Sequence, residues 1–203
     1  PPADRWLSSL RAGPDDLVPL AFHVDYWDAI GWADRFAQPA FAGRQREAVR
    51  RQRSRVVYTP QVLVDGRDLG DWFRPRALDA AAQAVAARTP VADLTLRAVA
   101  GADELDVDLQ IRWRRHAAPS AAAYLVITED RLESRVNAGE NRGANLRHDY
   151  VVRRLLGPFA PPSATATATS WPITQRIAIG RDWKRGDLAI SAFVQRGDSG
   201  EVL

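Results

Sequence analysis

The pattern of apolar and polar positions changes in kind about midway along the 203-residue chain. Before residue 90, apolar residues recur mostly at the three- and four-residue spacing of amphipathic helices, with one nearly continuous apolar run, Leu17–Val24. From Val91 onward they alternate with polar residues, as in Leu105–Arg112, which is the period of a half-buried β-strand. The pattern therefore predicts two units, residues 1–89 and residues 90–203.

The first unit is predicted to contain three helices and a buried strand. Helical spacing is found in Pro1–Ala12, in Pro39 to about Arg53 and in Pro75–Arg88. Proline is tolerated in a first helical turn, where its missing N–H has no intrahelical partner. The apolar run Leu17–Val24 is typical of a strand that is covered on both faces.

The second unit is predicted to be all β. Short alternating segments are separated by turns rich in glycine, proline and aspartate, and this arrangement favours a β-sandwich. The predicted strands are Leu94–Arg97, Leu105–Arg112, Ala122–Thr128, Asp149–Leu155, Gln175–Ile179 and Leu188–Gln195.

A hairpin is predicted in which one strand enters from Pro60, turns at Asp65-Gly66 and continues as a second strand from Arg67 to Trp72. Asp65-Gly66 is a strong turn signal after the short apolar run Val62–Val64, and Pro60 suits the first position of a strand. From the residues alone, Thr59-Pro60 is either a cis peptide bond or an ordinary trans bond before the hairpin.

Composition excludes some functions. The 28 basic and 25 acidic residues leave a net charge of +3, which is a weak field, so we do not expect nucleic-acid binding. No apolar run approaches the length of a membrane span. The chain contains neither cysteine nor methionine. The arginines between Arg44 and Arg55 could bind an anion, although a solvated basic face is the favoured interpretation.

Two clusters of polar residues could carry chemistry. His23 and Asp25 would share one face of a strand as a metal-binding or acid–base pair, but two ligands are too few for a metal, and a hydrogen-bonded structural histidine is favoured. We therefore predict no metal site and no cofactor. Gly139-Glu140-Asn141 with Arg147 and His148 is either a polar turn, which is favoured, or a contact of the second unit on the first.

Several longer motifs identify a family. The sequence resembles a bacterial family of secreted thioredoxin-like proteins of unknown function, whose motif Cys-x-x-Cys-Pro-Pro-Ala-Asp ends as this chain begins. The resemblance covers nearly the whole chain. It is carried by Pro1–Asp4, Phe22–Asp28, Gly31-Trp32, Arg44-Gln45, Val57–Gln61, Gly139–Asn141, His148–Arg153 and Phe193–Gln195.

The resemblance implies an α/β thioredoxin-like domain, here without its first strand and cysteine motif, followed by an all-β, sandwich-like domain. It implies a cis bond at Thr59-Pro60, a secreted or periplasmic location, and a cysteine pair directly before Pro1, with Pro1 and Pro2 flanking that motif. The implied substrate-binding residues are Tyr58, Thr59 and Pro60, together with Asp25, Tyr26, Trp27 and Trp32, which either line a groove or merely pack.

Two functions follow from these expectations. The first is thiol–disulfide exchange, if a cysteine pair precedes Pro1, with protein thiols as partners. The chain itself has no thiol and is expected to be inactive in this chemistry. The second is a cysteine-independent module that binds an extended peptide or a partner along the Thr59-Pro60 segment.

Overall fold

The computed structural model describes residues 2–10, 13, 17–30, 33–114, 120–137, 142–162 and 170–203. Three α-helices precede most of the strands: α1 (Pro2–Ser9), α2 (Pro39–Arg51) and α3 (Ala77–Ala86). The described strands are β1 (Leu63–Val64), β2 (Arg67–Asp68), β3 (Ala92–Ala100), β4 (Glu104–Trp113), β5 (Ala121–Glu129), β6 (Leu132–Arg135), β7 (Asn145–His148), β8 (Val151–Phe159), β9 (Ser170–Ala178) and β10 (Leu188–Arg196).

Two three-stranded antiparallel sheets face each other across the largest core. One sheet has the order β3-β4-β9 and the other the order β10-β5-β8. Alternation along β4 turns Val107, Leu109 and Ile111 inward, where they join Leu125 and Ile127 of β5 in one buried cluster. The alternating sequence pattern of the strands is thus the pattern of this core.

Helix α2 covers the other face of the β10-β5-β8 sheet. Pro39 occupies one of the first two helical positions, and the buried face of the helix includes Phe41. Phe41 packs against Val126 of β5 and Val152 of β8, and Phe22 joins this cluster. Strand β5 is therefore covered on both faces, which explains its nearly uninterrupted apolar sequence.

The prediction of a thioredoxin-like α/β domain is wrong. The structure is mostly β, its paired strands are antiparallel, and the described segments before residue 90 form no central parallel sheet. Within the described residues, Leu17–Val24 forms no extended strand. Only isolated bridges occur there, from Ala21 in parallel to Val151 of β8 and from Leu17 to Gly13. The run is apolar because Leu20 and Phe22 pack under α2.

The predicted hairpin is confirmed, although it is short. β1 pairs with β2 through Leu63–Asp68 and Val64–Arg67, and Asp65 and Gly66 have φ angles of 53° and 75°. Two successive positive φ angles are the requirement that Asp-Gly meets in a two-residue turn. The Thr59-Pro60 bond is cis, as predicted, and Gly157-Pro158 is cis as well.

The remaining expectations have different outcomes. Strands β6 and β7 are absent from the prediction, because each is only four residues long. In the described part of the chain, no helix is long and apolar enough to cross a membrane. The division into domains of residues 1–89 and 90–203 stays a prediction.

Candidate functional site

Two segments predicted to line a site meet in the structure. The indole Nε1 of Trp27 donates a hydrogen bond of 2.9 Å to the hydroxyl of Thr59, beside the cis bond to Pro60. Trp27 remains 49% exposed, and its ring lies 5.4 Å from the ring of Tyr26, centre to centre. Residues 26–27 and 58–60 therefore form one surface although about thirty positions separate them.

Gln45 of α2 fastens this surface to the body of the protein. Its Nε2 donates to the carbonyl oxygen of Tyr58 at 2.8 Å and to Oε1 of Gln61 at 3.1 Å. Its Oε1 accepts a hydrogen bond of 2.9 Å from the hydroxyl of Tyr26. One side-chain amide thus holds both segments. In the sequence, Gln45 stands out only as part of the Arg44-Gln45 motif. The family resemblance assigns Gln45 no role.

Tyr58 ties the segment to the hairpin. Its hydroxyl contacts both carboxylate oxygens of Asp68 in β2, at 2.8 and 2.7 Å, and Nε2 of Gln61 donates to the same carboxylate at 3.2 Å. Partial burial, followed by the hydrogen bond to Asp68 and its negative charge, raises the pKa of Tyr58 to about 12. The phenol therefore remains protonated and donating at neutral pH.

The backbone around the cis bond is unpaired. Residues 55–61 make no backbone–backbone hydrogen bond with any residue that the structure describes. The hydrogen bonds of this backbone stretch run instead to the side chains of Ser54, at 3.2 Å, and Gln45. Val56 and Val57 within it are 65% and 39% exposed. We call residues 55–61 together with Trp27 the cis-proline face.

A second cluster joins three distant segments. Nδ1 of His23 lies 2.5 Å from a carboxylate oxygen of Asp34, and Nδ1 of His148 in β7 lies 3.0 Å from a carboxylate oxygen of Asp4 in α1. The two imidazole rings are 5.1 Å apart and nearly perpendicular, with Phe36 packed against both. We call these two histidine–aspartate pairs the histidine cluster.

Charge and burial oppose each other in the histidine cluster. Burial alone would raise the pKa values of Asp4 and Asp34, but the hydrogen bonds and charges of His148 and His23 outweigh it and hold both pKa values below their usual range. Nε2 of His148 and Oγ of Ser134 are buried and have no hydrogen-bond partner among the described residues. The cluster fastens α1 and the loop after residue 23 to β7.

The His23–Asp25 pair, the less favoured alternative from the sequence, does not form. His23 pairs with Asp34, and the Asp25 carboxylate makes no hydrogen bond or ion pair with a described residue. Within the described ranges, no group of three or more histidine, cysteine or acidic side chains is placed to hold a metal ion. Pro2 begins α1, whereas Pro1, Trp32 and Gly139–Asn141 lie outside the described residues.

Comparisons with known proteins identify a family and a related fold. A family model described as "Protein of unknown function (DUF1223)" matches residues 1–195. The chain is similar to a crystal structure of a protein from Agrobacterium tumefaciens, with 23% identity, a TM-score of 0.52, and coverage of 88% of this chain and 71% of that one. This likeness concerns the fold.

A weaker likeness is to HBP35 of Porphyromonas gingivalis. That match has 13% identity and a TM-score of 0.47, and it covers 62% of this chain and 43% of that one. None of the curated proteins matches the sequence.

Proposed function

From the premise that the chain belongs to the DUF1223 family of proteins of unknown function, we propose that it binds an extended polypeptide segment along the cis-proline face. The binding mode is strand addition, in which the ligand backbone pairs with the backbone of residues 55–61. The observation that carries the proposal is the absence of backbone–backbone hydrogen bonds between this stretch and the other described residues.

Apart from the Val56 N–H and the Tyr58 carbonyl oxygen, which bond to Ser54 and Gln45, and Pro60, which has no N–H, the backbone of residues 55–61 can supply donors and acceptors. Residues 55–58, which precede the bend at Thr59-Pro60, span about 13 Å in extended form, which is the length of a short strand. Each hydrogen bond that an incoming strand completes contributes about 0.5–1.5 kcal/mol net. Such bonds do not depend on the ligand's sequence, so the backbone provides general affinity and the side chains provide selectivity.

Apolar side chains around the stretch can contact the ligand. Val56 is 65% exposed and Trp27 is 49% exposed, while Leu63, which follows in β1, is 38% exposed. A concentration of exposed apolar side chains on one segment marks an interaction surface more often than isolated ones do. Trp27 is held in place by Thr59, so its ring is available to a ligand without losing further side-chain freedom.

The face is also held in position before a ligand arrives. Gln45 fixes the carbonyl of Tyr58 from the helix side, and Asp68 fixes the phenol of Tyr58 from the hairpin side. A stretch fixed at its centre loses less conformational entropy on binding than a free loop would. Tyr58, Thr59 and Trp27 thus keep the binding role expected from the sequence as part of this proposal.

A matched pair of valine variants tests the proposal. The probe is a fluorescently labelled, uncharged peptide of about eight alternating threonine and valine residues, followed by anisotropy. Val56→Ala removes an exposed side chain from the face and should weaken binding about three- to tenfold. Val99→Ala removes a similarly exposed valine, 53% exposed in β3, and should leave the affinity unchanged. Equal effects of the two variants, or no binding to the wild type, would refute the proposal.

Thiol–disulfide exchange, the first function expected from the sequence, is not part of this proposal. None of the 203 residues is a cysteine, so no side chain of the chain can act as the attacking thiolate. We do extend the proposal to a secreted or periplasmic location, which the family resemblance supports. Fractionation of cells with an antibody against the protein tests it, and recovery in the cytoplasmic fraction alone would contradict it.

A further inference from the structure

We infer that the extended segment bound on the cis-proline face is acidic. This inference rests on the proposed function and adds the chemistry of the ligand to it. It is carried by the distribution of charge along and around residues 55–61, and not by the backbone pairing on which the proposed function depends.

Positive charge is concentrated in the part of the sequence that contains residues 55–61. Residues 44–76 contain nine arginines and four acidic residues, a net charge of +5, whereas the whole chain has a net charge of +3. The rest of the chain therefore has a net charge of −2. A local field of one sign raises the concentration and the association rate of ligands of the opposite sign.

Half of the arginine row from Arg44 to Arg55 has partners within the protein. The guanidinium of Arg44 lies 4.9 Å from the ring centre of Tyr124 and donates to Gln195 at 2.9 Å. Arg50 and Arg51 both pair with Glu47 of the same helix. These three side chains are committed to packing or to local ion pairs, and they are not the basis of the inference.

The other three arginines of that row are the basis of the inference. Arg46, Arg53 and Arg55 are exposed and form no ion pair with a described residue, and the same is true of Arg67 in β2. Arg53 lies two positions before the first residue of the unpaired stretch, which is Arg55. Arg46 lies close enough to Tyr26 for its charge to act on the phenol.

Most acidic residues of the same region already form hydrogen bonds or ion pairs within the protein. Asp68 accepts hydrogen bonds from Tyr58 and Gln61, and the nearly buried Asp65 pairs with Arg88. Asp25 is left near the Trp27 end, so repulsion of an acidic ligand is weakest at the Arg53–Arg55 end. The ligand's acidic residues are therefore expected beside Arg53 and Arg55.

The expected size of the effect follows from the exposure of these side chains. A solvent-exposed ion pair changes affinity only about 1.4- to fivefold, and salt screens it. Two or three such pairs together correspond to about a tenfold preference for an acidic over a neutral peptide at low salt.

Three labelled peptides of about eight residues test the inference on the intact chain. They share alternating valines and carry glutamate, glutamine or lysine at the other positions. We expect the glutamate peptide to bind about tenfold more tightly than the glutamine peptide at about 20 mM salt, and this difference to shrink at about 200 mM. The lysine peptide should bind most weakly.

Charge-reversal variants locate the effect. Arg53→Glu combined with Arg55→Glu should abolish the preference for the glutamate peptide while the glutamine peptide still binds. Arg97→Glu is the matched control, since it reverses an exposed arginine in β3, and it should preserve the preference. Circular dichroism verifies that each variant is folded.

The outcomes separate the inference from the proposed function. Equal affinity for the glutamate and glutamine peptides overturns the inference and leaves the proposed function standing. Absence of binding to any of the three peptides overturns both. A single-stranded oligothymidylate that binds more tightly than the glutamate peptide also overturns the inference, since exposed aromatic rings and arginines can bind nucleic acid.

Discussion

At the residue scale, the hairpin beside the cis-proline face depends on a position that only glycine can fill. Gly66 has a φ of 75°, and a Cβ built on it would collide with the carbonyl oxygen of Gly200. The turn therefore packs directly against the backbone of the chain's C-terminal segment. Val202 reinforces this contact, because its N–H donates to the carboxylate of Asp65 at 2.7 Å.

Gly66→Ala is predicted to destabilise the protein. The left-handed backbone conformation alone costs a residue with a side chain about 1–3 kcal/mol, and the collision with Gly200 adds to it. Urea unfolding measures the change in the free energy of unfolding. Gly70→Ala is the control, because a Cβ there meets nothing within 4 Å. A Gly66→Ala variant as stable as Gly70→Ala would show that the hairpin does not pack as described.

Tyr58→Phe is predicted to lower the free energy of unfolding at neutral pH and to remove a phenol that titrates near pH 12. A pKa raised to about 12 in the folded protein means that the Tyr58–Asp68 bond contributes stability fully below about pH 10 and loses it as the pH rises toward 12. The variant should lose about 1 kcal/mol at neutral pH, and phenolate absorbance should show one fewer tyrosine titrating near pH 12. An unchanged alkaline titration curve would contradict the assignment.

At the element scale, helices α1 and α2 are attached to the sheets in different ways. Helix α2 is held by apolar packing of Phe41 on Val126 and Val152. In helix α1 no described residue is fully buried, and one of its polar attachments is the Asp4–His148 bond. Apolar packing is insensitive to pH, whereas a carboxylate–histidine bond is not, so the two attachments should respond differently to acid.

Phe41→Ala is predicted to cost about 3–5 kcal/mol, because the side chain is 2% exposed and leaves a cavity between α2 and the sheet. Denaturant unfolding measures the loss. The control, Phe73→Ala, removes a ring that is 66% exposed and should change the free energy of unfolding by no more than about 0.5 kcal/mol. A loss below about 1 kcal/mol for Phe41→Ala would contradict the packing of α2 on this sheet.

Asp4→Asn is predicted to lower the free energy of unfolding at neutral pH, with a smaller effect in acid. The pKa of Asp4 is lowered in the folded state, so its contribution is present above the unfolded-state value of about 3.9 and is lost as the pH falls through the folded-state value. We expect a loss of about 1–2 kcal/mol at neutral pH and a smaller loss at about pH 2. Unfolding at both pH values provides the measurement, with the exposed Asp103→Asn as control. A constant difference between wild type and variant across this range would contradict the assignment.

At the scale of the whole molecule, the sequence predicted what local chemistry determines. The two-residue turn requires positive φ angles, which Asp65 and Gly66 can adopt, so the turn was predictable from these two residues. The alternation in Leu105–Arg112 likewise matches the inward residues of β4. The predicted α/β architecture of the first unit was wrong. An apolar run such as Leu17–Val24 satisfies a central strand and a segment covered by α2 equally well, and only tertiary packing distinguishes them.

The candidate site was predictable in part for the same reason. Tyr58, Thr59, Pro60 and Trp27 stood out because they form dense local motifs, and the structure brings them together. The partners of these and other residues, including Gln45, Asp68 and Asp34, belong to other elements, and no local spacing indicates those contacts. Pairing His23 with Asp25 applied strand geometry to a segment in which the histidine instead meets a carboxylate eleven positions away.

Residue-resolved amide hydrogen exchange tests whether an extended peptide binds the backbone of residues 55–61. We expect the threonine–valine peptide at saturation to slow exchange at alternate amides of this stretch, because strand pairing engages every second residue. Amides along β3 and β9, the outer strands of the opposite sheet, should exchange at unchanged rates. Protection confined to β3 or β9, or bound peptide with no protection at residues 55–61, would contradict the account.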